Sequence, residues 1–330
     1  MSVRALSFGP VAEAYERFRP GYPEELFDLV MAYAGHPVRT ALEIGAGTGK
    51  ATRLFARPGI TVTATEPDPA MLAELRKHVP PSVRAVRAAL EDLPAGGRRD
   101  LAGGSRERAG ESREMAGEDS RGRSGGESRA LFDGGRNHLS DGESRGLFAG
   151  GRNHLSDGES RGLFDGQHRD PVGGERHDLF YVAAALHWTR PEGRWERIAG
   201  LLRPGGVFAS CGGPVQLADP AVAEAVRAAR APFLETDELP SPDGTPPEQE
   251  MQWPGTELEQ SPLFEDVRQV TIGRRLTVSS RDYVGHLSTV SAYLTLPPAH
   301  RAEVYRRILA AVPDTLELTA DIVVHLARRV

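Results

Sequence analysis

The sequence predicts an α/β fold, in which mainly parallel strands form one sheet and helices cover both of its faces. Residues 41–52 have the pattern of a buried strand, a glycine-rich turn and the start of a helix. The β-branched segment 60–66 and the almost continuous apolar run 178–185 predict two further strands of the kind that is buried on both faces. Helical patterns separate these strands, and this alternation indicates a Rossmann-like, doubly wound sheet.

The composition is that of a globular protein. Hydrophobic residues make up 39% of the 330 residues, which is enough for a core, and the formal net charge of -6 offers no electrostatic footprint for nucleic acid. The apolar runs are far shorter than a membrane span, residues 1–20 lack the apolar core of a secretion signal, and Cys211 is the single cysteine. We therefore expect a cytoplasmic monomer or homodimer that binds neither nucleic acid nor membranes.

An aromatic segment precedes the first predicted strand. It contains Phe8, Tyr15 and Tyr22, and Arg19 in this segment is followed by a proline. Pro23 then begins a predicted helix with an apolar stripe. The aromatic residues ahead of that helix are either a hydrophobic arm packed on the domain or part of the wall of a ligand pocket.

The turn after the first strand has the pattern Glu-x-Gly-x-Gly-x-Gly, formed by Glu43, Gly45, Gly47 and Gly49. Alternate glycines allow a tight turn and let a ligand lie against bare main chain, next to the N–H groups that open a helix. The turn is therefore a predicted ligand cradle.

The spacing of these glycines excludes two common nucleotide-binding motifs. A dinucleotide fingerprint ends in Gly or Ala, and counting from either of the first two glycines that place falls on Lys50 or Thr52. A P-loop requires glycine at the place of Ile44 and serine or threonine at the place of Ala51. The chain meets neither requirement.

An acidic residue closes the second predicted strand. Glu66 is placed to accept both ribose hydroxyls of an adenosine, unless it is simply a surface carboxylate at a strand end. Asp68 and Pro69 then have the pattern of an N-cap and a first helical position. Residues 82–88 alternate like a third strand and lead into the sequence ALEDLP at 89–94.

Residues 96–176 differ in composition from the rest of the chain. They contain more than half of the 37 glycines, together with many arginines and acidic residues, and such a segment cannot bury a core. A 16-residue unit starts at Leu131 and recurs at Leu147, but its histidines, His138 and His154, lack the paired spacing of a metal site. We predict a mostly disordered insertion that could bind a protein partner and that holds no metal.

The core pattern resumes after this insertion. The predicted elements up to residue 262 are a central strand at 178–185, a helix from Pro191-Glu192, a turn at 203–206 into a strand at 207–211, a helix at 218–231 and a substrate-side loop at 232–262. They are followed by a strand at 264–277, a helix that is capped at Ser279-Ser280 and ends near 288–293, a helix at 298–311 and a last strand at 316–326.

Several of these motifs together resemble the class I S-adenosylmethionine (SAM) dependent methyltransferases of small molecules. Methyltransferase type 11, trans-aconitate methyltransferase-like and ubiquinone-biosynthesis-like members are the most similar. The resemblance rests on the lead segment 8–23, the glycine turn, Glu66, the His187-Trp188 pair and the Pro204-Gly-Gly turn. It implies SAM as the cofactor and a seven-stranded sheet of order 3-2-1-4-5-7-6 whose last strand is antiparallel.

The resemblance also implies a domain organisation. Residues 1–95 and 177–330 would form one methyltransferase domain, interrupted by the insertion at 96–176. Within this domain, residues 1–37 would form an N-terminal lid and helix, and residues 232–300 would form cap elements on the substrate side.

Residues for the cofactor follow from the same resemblance. The expected set is Glu43, Gly45, Ala46, Gly47, Gly49, Glu66, Pro67, Leu90, Glu91 and Ala184. Ala89 stands where the family often has an aspartate, so contacts to the adenine would fall to the backbone near Leu90 and to Glu91.

Methyl transfer from a sulfonium is an in-line displacement, which requires mainly alignment and desolvation of the acceptor. The resemblance places His187 as the proton acceptor for a neutral hydroxyl or amine, with Tyr15, Tyr22 and Tyr283 as weaker candidates, whereas an acidic acceptor needs no base. The substrate-side set is Arg19, Trp188, Tyr283, Thr289 and Ser291. The structural alternatives are a packed histidine and tryptophan in the core, and hydroxyl groups that only cap and turn.

Two other functions stay open. A non-catalytic SAM-binding or scaffold protein is compatible with the weakened adenine site at Ala89. An NAD(P)-dependent oxidoreductase shares the acid at Glu66 but is contradicted by Lys50.

Overall fold

The computed structural model describes residues 7–94, 174–237 and 240–330. All of them belong to one compact unit, which comprises residues Met1–Leu101 and His168–Val330. The predicted insertion at 96–176, with its repeats and histidines, lies outside the described residues except for residues 174–176.

The elements of the N-terminal part are α1 (Ala12–Phe18), α2 (Glu24–Ala34), β1 (Thr40–Ile44), α3 (Lys50–Phe55), β2 (Thr61–Thr65), α4 (Pro69–His78) and β3 (Arg84–Val86). Those of the C-terminal part are β4 (His177–Ala183), α5 (Arg194–Leu201), β5 (Leu202–Gly212), β6 (Gln216–Leu217), α6 (Pro220–Arg230), α7 (Gly255–Gln260), β7 (Phe264–Ile272), β8 (Arg275–Ser279), α8 (Ser280–Leu287), α9 (Ser291–Leu294), α10 (Pro298–Ala311), β9 (Thr315–Thr319) and β10 (Ile322–Arg329).

Seven strands form the main sheet in the order β3-β2-β1-β4-β5-β10-β7. The strands from β3 to β5 pair in parallel, whereas β10 runs antiparallel to both of its neighbours, β5 and β7. This topology confirms the predicted Rossmann-like sheet and its antiparallel last strand. The carboxyl ends of β1, β2 and β3 lie in register, because Ile44 pairs with Thr65 and Thr65 pairs with Val86.

The central strands are buried on both faces, as their apolar sequences require. Ala41 and Tyr181 pack with the helices α2 and α3 on one face, whereas Leu42 and Phe180 pack with α5 and α7 on the other. Because the two faces are filled, a ligand can approach only at the edges of the sheet or at the ends of its strands.

A second, three-stranded antiparallel sheet, β6-β9-β8, lies in the C-terminal half and was not predicted. The predicted strand at 264–277 is wrong as a single element, since β7 belongs to the main sheet and β8 to the small one. The predicted strand at 316–326 likewise divides into β9 and β10. The break between β7 and β8 lies beside the break between β9 and β10, as the hydrogen bond from the N–H of Arg274 to Asp321 Oδ1 at 2.8 Å shows.

Further predictions differ from the structure in detail. The lead segment contains α1, and the predicted loop at 232–262 contains α7, whose Leu258 packs in the core of the main sheet. Helix α5 begins at Arg194, after Gly193 with φ of 67°, and not at Pro191-Glu192. The predicted turn at 203–206 falls inside β5. The N-caps at Asp68 and Ser279 and the helix at 298–311 are confirmed.

Candidate functional site

The glycine turn at the end of β1 leaves one stretch of main chain open. Gly45 and Gly47 have φ of 59° and 58°, in the left-handed region that favours glycine. A Cβ added to Gly45 would lie 2.5 Å from the Cβ of Ala185, so this glycine is required by packing. A Cβ added to Gly47 would have Met71 Cε, at 3.5 Å, as its nearest neighbour. Gly47 is therefore the position at which a ligand can lie against the backbone.

The carboxylate of Glu66 meets this open turn. Its Oε2 accepts from the N–H of Gly47 at 2.9 Å, and its Oε1 accepts from the N–H of Asp68, also at 2.9 Å. Glu66 is buried, and this burial raises its pKa to about 7 in spite of the two N–H donors. The predicted convergence of the glycine turn and the acid of β2 is thus present in the fold.

Glu43 is completely buried beneath the turn. Its Oε2 accepts from Thr52 Oγ1 at 2.6 Å and from the hydroxyl of Tyr181 at 2.9 Å, whereas Oε1 has no partner among the described residues. Burial raises the pKa of Glu43 to about 8, and the nearby charge of Glu66 contributes to the increase. An unpaired buried oxygen is costly, so Oε1 is a place where a ligand donor would be favourable.

A cavity of about 280 Å³ lies beside the residues that follow β2 and β3. Its lining residues are Pro67, Asp68, Pro69, Arg87, Ala89, Glu91, Asp92 and Arg190. Glu91 Oε1 accepts from the N–H of Arg190 at 2.8 Å, and Glu91 Oε2 is buried without a partner in the described part of the chain. Leu90 is buried and is not one of these lining residues. Asp92 is a turn residue, since its Oδ2 accepts from the N–H of Ala89 at 2.9 Å.

The lead segment lies against both helices that begin at the site. Glu16 on α1 accepts from Lys50 Nζ through its carbonyl (2.6 Å) and from Arg53 Nη2 through Oε1 (2.8 Å), which ties α1 to the start of α3. Gly9 packs directly on Asp68, because a Cβ there would lie 2.6 Å from the carboxylate oxygens at the start of α4. The segment therefore occupies the place expected of a lid, and its opening and closing stay a prediction.

Aromatic rings connect the lead segment to the end of β4. The ring of Phe8 lies 6.0 Å from the rings of both Tyr15 and Trp188, with edge-on geometry in each pair. Trp188 in turn lies 4.4 Å from the ring of His187, within a 3-10 turn at Leu186–Trp188. Three of the predicted catalytic and substrate-side residues, Tyr15, His187 and Trp188, are thus brought together.

His187 is neutral at physiological pH. Burial lowers its pKa to about 4, and the positive charge of Arg194 is a second cause. A neutral imidazole can accept a proton, so the predicted role as a base is chemically available. Ala184, just before this turn, is exposed and has φ of 51°, a conformation that costs a non-glycine residue about 1–2 kcal/mol. Such strain is common at functional sites.

The remaining substrate-side residues divide into two groups. Arg19 and Tyr22 are partly buried. Burial raises the pKa of Tyr22 well above the usual value, and Cys211 and Glu43 make smaller contributions in the same direction. Thr289 is completely buried and holds Arg19 through two hydrogen bonds, so it positions another residue and does not face a pocket. Ser291 is buried and is the first residue of α9.

Tyr283 lies in a different environment from the one predicted. It is buried in the third core cluster, which α6, α8, α10 and the small sheet form together. Burial and the nearby Asp237 raise the pKa of its hydroxyl to about 12. Tyr283 was predicted on the substrate side without knowledge of the small sheet that helps to bury it, and that role stays a prediction.

Sequence reasoning missed three participants. Tyr181 was assigned to the core from its apolar strand, yet its hydroxyl bonds Glu43. Lys50 was used only to exclude a dinucleotide site, and it also anchors the lead segment. Arg274 donates from Nη1 to the carbonyl of Gly21 at 2.6 Å, and a contact between residues so distant in sequence leaves no local signal.

Across 7–94, 174–237 and 240–330, no group of three or more His, Cys, Asp or Glu side chains is arranged for a metal ion. None of the helices in these residues combines the length and apolar character that crossing a bilayer requires.

Residues 41–102 match the family model described as a methyltransferase domain. An uncharacterized methyltransferase of Mycobacterium tuberculosis is 42% identical to this chain over 90 residues, and a similar protein of Mycobacterium bovis has the same values. Each match covers 27% of this chain and 35% of the relative, so the chain spans about a third of the length of the curated relatives it matches.

Solved structures with a similar fold include a candidate type II methyltransferase from Anaeromyxobacter dehalogenans. It is 21% identical, with a TM-score of 0.49 over 94% of this chain and 98% of that one. A SAM-dependent methyltransferase from Thiobacillus denitrificans in complex with S-adenosyl-L-homocysteine is 13% identical, with a TM-score of 0.40 over 97% of each chain. The assignment therefore rests on the sequence match and the observed topology. Together they indicate that residues 41–102 are similar to a methyltransferase domain and contribute strands to a sheet with the order and the antiparallel strand β10 described above.

Proposed function

We propose that this chain transfers a methyl group from SAM to an oxygen, nitrogen or carbon atom of a small-molecule acceptor. The observation that carries the proposal is the 2.9 Å contact between the N–H of Gly47 and the carboxylate of Glu66. This contact joins the open main chain at Gly47 to a buried carboxylate at the carboxyl ends of β1 and β2. Such a pair suits a nucleoside that carries an amino acid.

The described residues fit this donor in three parts. Glu66 would accept from the ribose hydroxyls, and the open main chain at Gly47, with the unpaired Oε1 of Glu43 nearby, would hold the amino-acid end. The 280 Å³ cavity would take the adenine, with Glu91 Oε2 as the acceptor that replaces the aspartate missing at Ala89. Gly45, Ala46, Gly49, Pro67 and Ala184 would complete the walls of this site.

When bound, SAM supplies a methyl group that is already strongly electrophilic, so the protein does not have to activate a metal or form a covalent intermediate. The aromatic contacts between Phe8, Tyr15 and Trp188 would exclude water from the acceptor side. Neutral His187 would accept the proton of a hydroxyl or amine acceptor as its new bond to the methyl forms. Tyr22, protonated at physiological pH, would orient the acceptor as a hydrogen-bond donor.

Several finer statements belong to this proposal. A small molecule as the acceptor, a cytoplasmic location, a monomer or homodimer, and a protein partner for the insertion at 96–176 are all expectations from composition and resemblance. The absence of nucleic-acid binding follows from the net charge of -6 and stays a prediction.

Calorimetry with S-adenosylhomocysteine (SAH) and with NAD tests the donor. We expect SAH to bind and NAD not to bind, whereas the reverse result would favour the oxidoreductase alternative. A library of small metabolites would then be screened with SAM for release of SAH. Binding of SAH without turnover of any library member would favour the non-catalytic alternative. A Glu66→Gln variant should bind SAH at least tenfold more weakly, because a charged acceptor for the ribose hydroxyls is lost.

A further inference from the structure

Arg194 is a charged residue in the interior of the protein, at the first position of α5. Only 3% of it is exposed, and burial lowers the pKa of its guanidinium below the ordinary value. A buried charge is costly unless it is paired, and apolar side chains of similar volume often stabilise such a place equally well. An arginine at this position therefore requires an explanation other than stability.

The donors of Arg194 hold the turn that precedes α5. Its Nε donates to Thr189 Oγ1 at 2.9 Å, and its Nη2 donates to the carbonyl of Thr189 at 3.0 Å. Thr189 Oγ1 donates in turn to the carbonyl of Leu186 at 2.7 Å. The hydrogen bonds therefore run from Arg194 through one hydroxyl group to the first residue of the 3-10 turn that carries His187 and Trp188.

The backbone of this turn is closed by two hydrogen bonds. The N–H of Trp188 donates to the carbonyl of Ala185, and the N–H of Thr189 donates to the carbonyl of Leu186, each at 3.0 Å. A 3-10 turn is short and has poorer hydrogen-bond geometry than an α-helix. The contacts of Arg194 thus support a segment whose own backbone stabilises it weakly.

A carboxylate on α7 holds the other edge of the guanidinium. Glu257 Oε2 accepts from Arg194 Nη1 at 3.3 Å and from Trp195 Nε1 at 2.8 Å, so the carboxylate is itself fixed. The guanidinium carbon lies 5.3 Å from the centre of the Trp253 ring, which adds a cation–π contact. Arg194 therefore connects the turn after β4 to the segment 232–262, in which α7 lies.

The charge of Arg194 also acts on His187. Burial is the main cause of the low pKa of this histidine, about 4, and the positive charge of Arg194 is the second cause. The acidic groups that act on Arg194 in turn are Glu257, Glu91 and Glu192. Removal of the arginine would take away a like charge and loosen the turn, and both changes would raise the pKa of His187.

We propose that Arg194 is a positioning residue for methyl transfer, which holds the turn 186–189 and with it the imidazole of His187 at the carboxyl end of β4. This inference rests on the proposed function, because it takes His187 as the group that accepts the proton of the acceptor. Arg194 contacts Thr189 and Glu257, so its effect on the reaction passes through the turn.

The first experiment measures the turn by amide hydrogen exchange in the full chain. Arg194→Gln removes the fork of donors, and Thr189→Val removes the hydroxyl while keeping the charge of Arg194. In both variants the N–H groups at positions 188 and 189 should exchange at least about tenfold faster, and exchange in β1 and β4 should not change. Arg197→Gln is the matched control, because Arg197 lies on the same helix and donates to the carbonyl of Leu93 instead.

The second experiment follows His187 by NMR of histidine-labelled protein, in which its signal is identified by its loss in His187→Ala. In the unmodified chain this imidazole should stay neutral from pH 5 to pH 8, because its pKa is about 4. In Arg194→Gln the pKa should rise by about 1. Arg194→Lys keeps the charge without the fork and should show a smaller rise, and Arg197→Gln should match the unmodified chain.

Turnover of a neutral acceptor from the metabolite library gives the functional readout. In Arg194→Gln, kcat should fall by about 10- to 100-fold, because the base is no longer held in place. The affinity for SAH should change by less than about threefold. Equal losses of kcat and SAH affinity would overturn the proposal, since they would show a general structural role for Arg194.

The outcomes of the first two experiments are distinct. Faster exchange confined to the turn, together with a raised pKa of His187, supports the proposal. Unchanged exchange at positions 188 and 189, an increase shared by the main sheet, or an unchanged pKa of His187 in Arg194→Gln overturns it. If Arg194→Gln fails to fold, Thr189→Val and Arg194→Lys are judged by the exchange criterion. Failure of the unmodified chain to bind SAH would instead overturn the proposed function.

Discussion

The donor side and the acceptor side of this site are built in different ways. The cradle on the donor side depends mainly on contacts between residues that are near in sequence, such as Thr52 on α3 with Glu43 on β1 and Gly47 with Glu66. The hydrogen bond of Tyr181 to Glu43 is its one long-range support described above. The acceptor side depends on contacts across most of the chain, such as Arg19 with Thr289, 270 positions apart. One half of the site is therefore a property of a local motif, and the other is a property of the whole fold.

This difference teaches where variation is tolerated. A change on the donor side disturbs strands that are buried on both faces, so it affects stability and cofactor binding together. A change on the acceptor side affects helices α1, α8 and α9, which contribute nothing to the main sheet. We expect substrate choice to be adjustable on the acceptor side while the donor side stays constant.

Replacing His187 should have the largest effect, and it should be confined to the acceptor side. In His187→Ala, turnover of a neutral hydroxyl or amine acceptor should fall by about 10²- to 10⁴-fold, since a general base is lost. The affinity for SAH, measured by calorimetry, should stay within about twofold of that of the unmodified chain, which is a difference of less than about 0.5 kcal/mol in binding free energy. His36→Ala, at an exposed loop histidine, serves as the control.

Equal losses of turnover and SAH affinity in His187→Ala would show that this histidine is structural. The pH dependence gives a second readout. Because burial lowers the pKa of His187 to about 4, the base stays available above that pH, and activity that depends on it should decline only as the pH approaches 4.

Gly45→Ala should be the most destabilising change on the donor side. The new Cβ would lie 2.5 Å from the Cβ of Ala185 at a positive φ, so we expect a loss of about 2–4 kcal/mol in the free energy of unfolding. Gly59→Ala is the matched control, because Gly59 has φ of 87° and nothing within 4 Å of the added Cβ. Chemical denaturation should show a loss of only about 1 kcal/mol in the free energy of unfolding of Gly59→Ala, which comes from backbone strain alone. Similar losses in both variants would mean that close packing at the turn is unimportant.

Glu43 should make the stability of the donor side depend on pH. Its pKa in the folded protein is about 8, against an ordinary value of 4.5, so the folded state holds the proton more tightly than the unfolded state. Its contribution is therefore complete below about pH 4.5 and is lost as the pH rises towards 8.

Glu43→Gln removes this titration while keeping a neutral polar group. Between pH 5 and pH 8, the unfolding free energy of the unmodified chain should fall relative to the variant by on the order of 2 kcal/mol. Denaturation curves at several pH values measure the difference, with Glu259→Gln, an exposed carboxyl group, as the control. Parallel curves for the unmodified chain and Glu43→Gln would contradict the buried, protonated state of this residue.

Glu16→Gln should have the smallest effect, because it loosens only the connection between the two sides. The ion pairs of Glu16 with Lys50 and Arg53 are partly exposed, and such pairs contribute about 0.2–1 kcal/mol each. Hydrogen exchange in residues 8–22 should become faster, with little change in the main sheet. Glu13→Gln, at the exposed end of α1, should leave exchange unchanged, and uniform exchange rates in all three proteins would mean that the tether is not what orders the lead segment.

The donor side was predictable from the sequence because its signals are local. The glycine spacing, the acid at the end of β2 and the cap at Asp68 each depend on residues within a few turns of one another. The alternation of strands and helices predicts a mainly parallel sheet, whereas the strand order came from the family resemblance. The acceptor side was less predictable. Thr289 was expected to face a pocket and instead anchors Arg19, and that role exists only once α1 and α8 pack together.

The strand errors have a common cause. Alternation of apolar and polar residues has the same period on both sides of Gly273, so nothing in the pattern shows that β7 and β8 lie in different sheets. The segment before α7 is rich in proline and acidic residues, and this composition hid a short helix whose Leu258 completes the core. Both features depend on which surface a segment meets after the sheet has formed.

The helices α8, α9 and α10 leave and rejoin the small sheet at adjacent points. Ser279 at the end of β8 pairs with Thr315 at the start of β9, and the N–H of Ser280 donates to the carbonyl of Asp314 at 2.8 Å. Residues 280–314 therefore form a closed excursion with neighbouring ends, comparable to a cassette. Grafting the equivalent stretch of another family member onto these two strands would be a direct route to exchanging acceptors, with the cofactor cradle inherited unchanged.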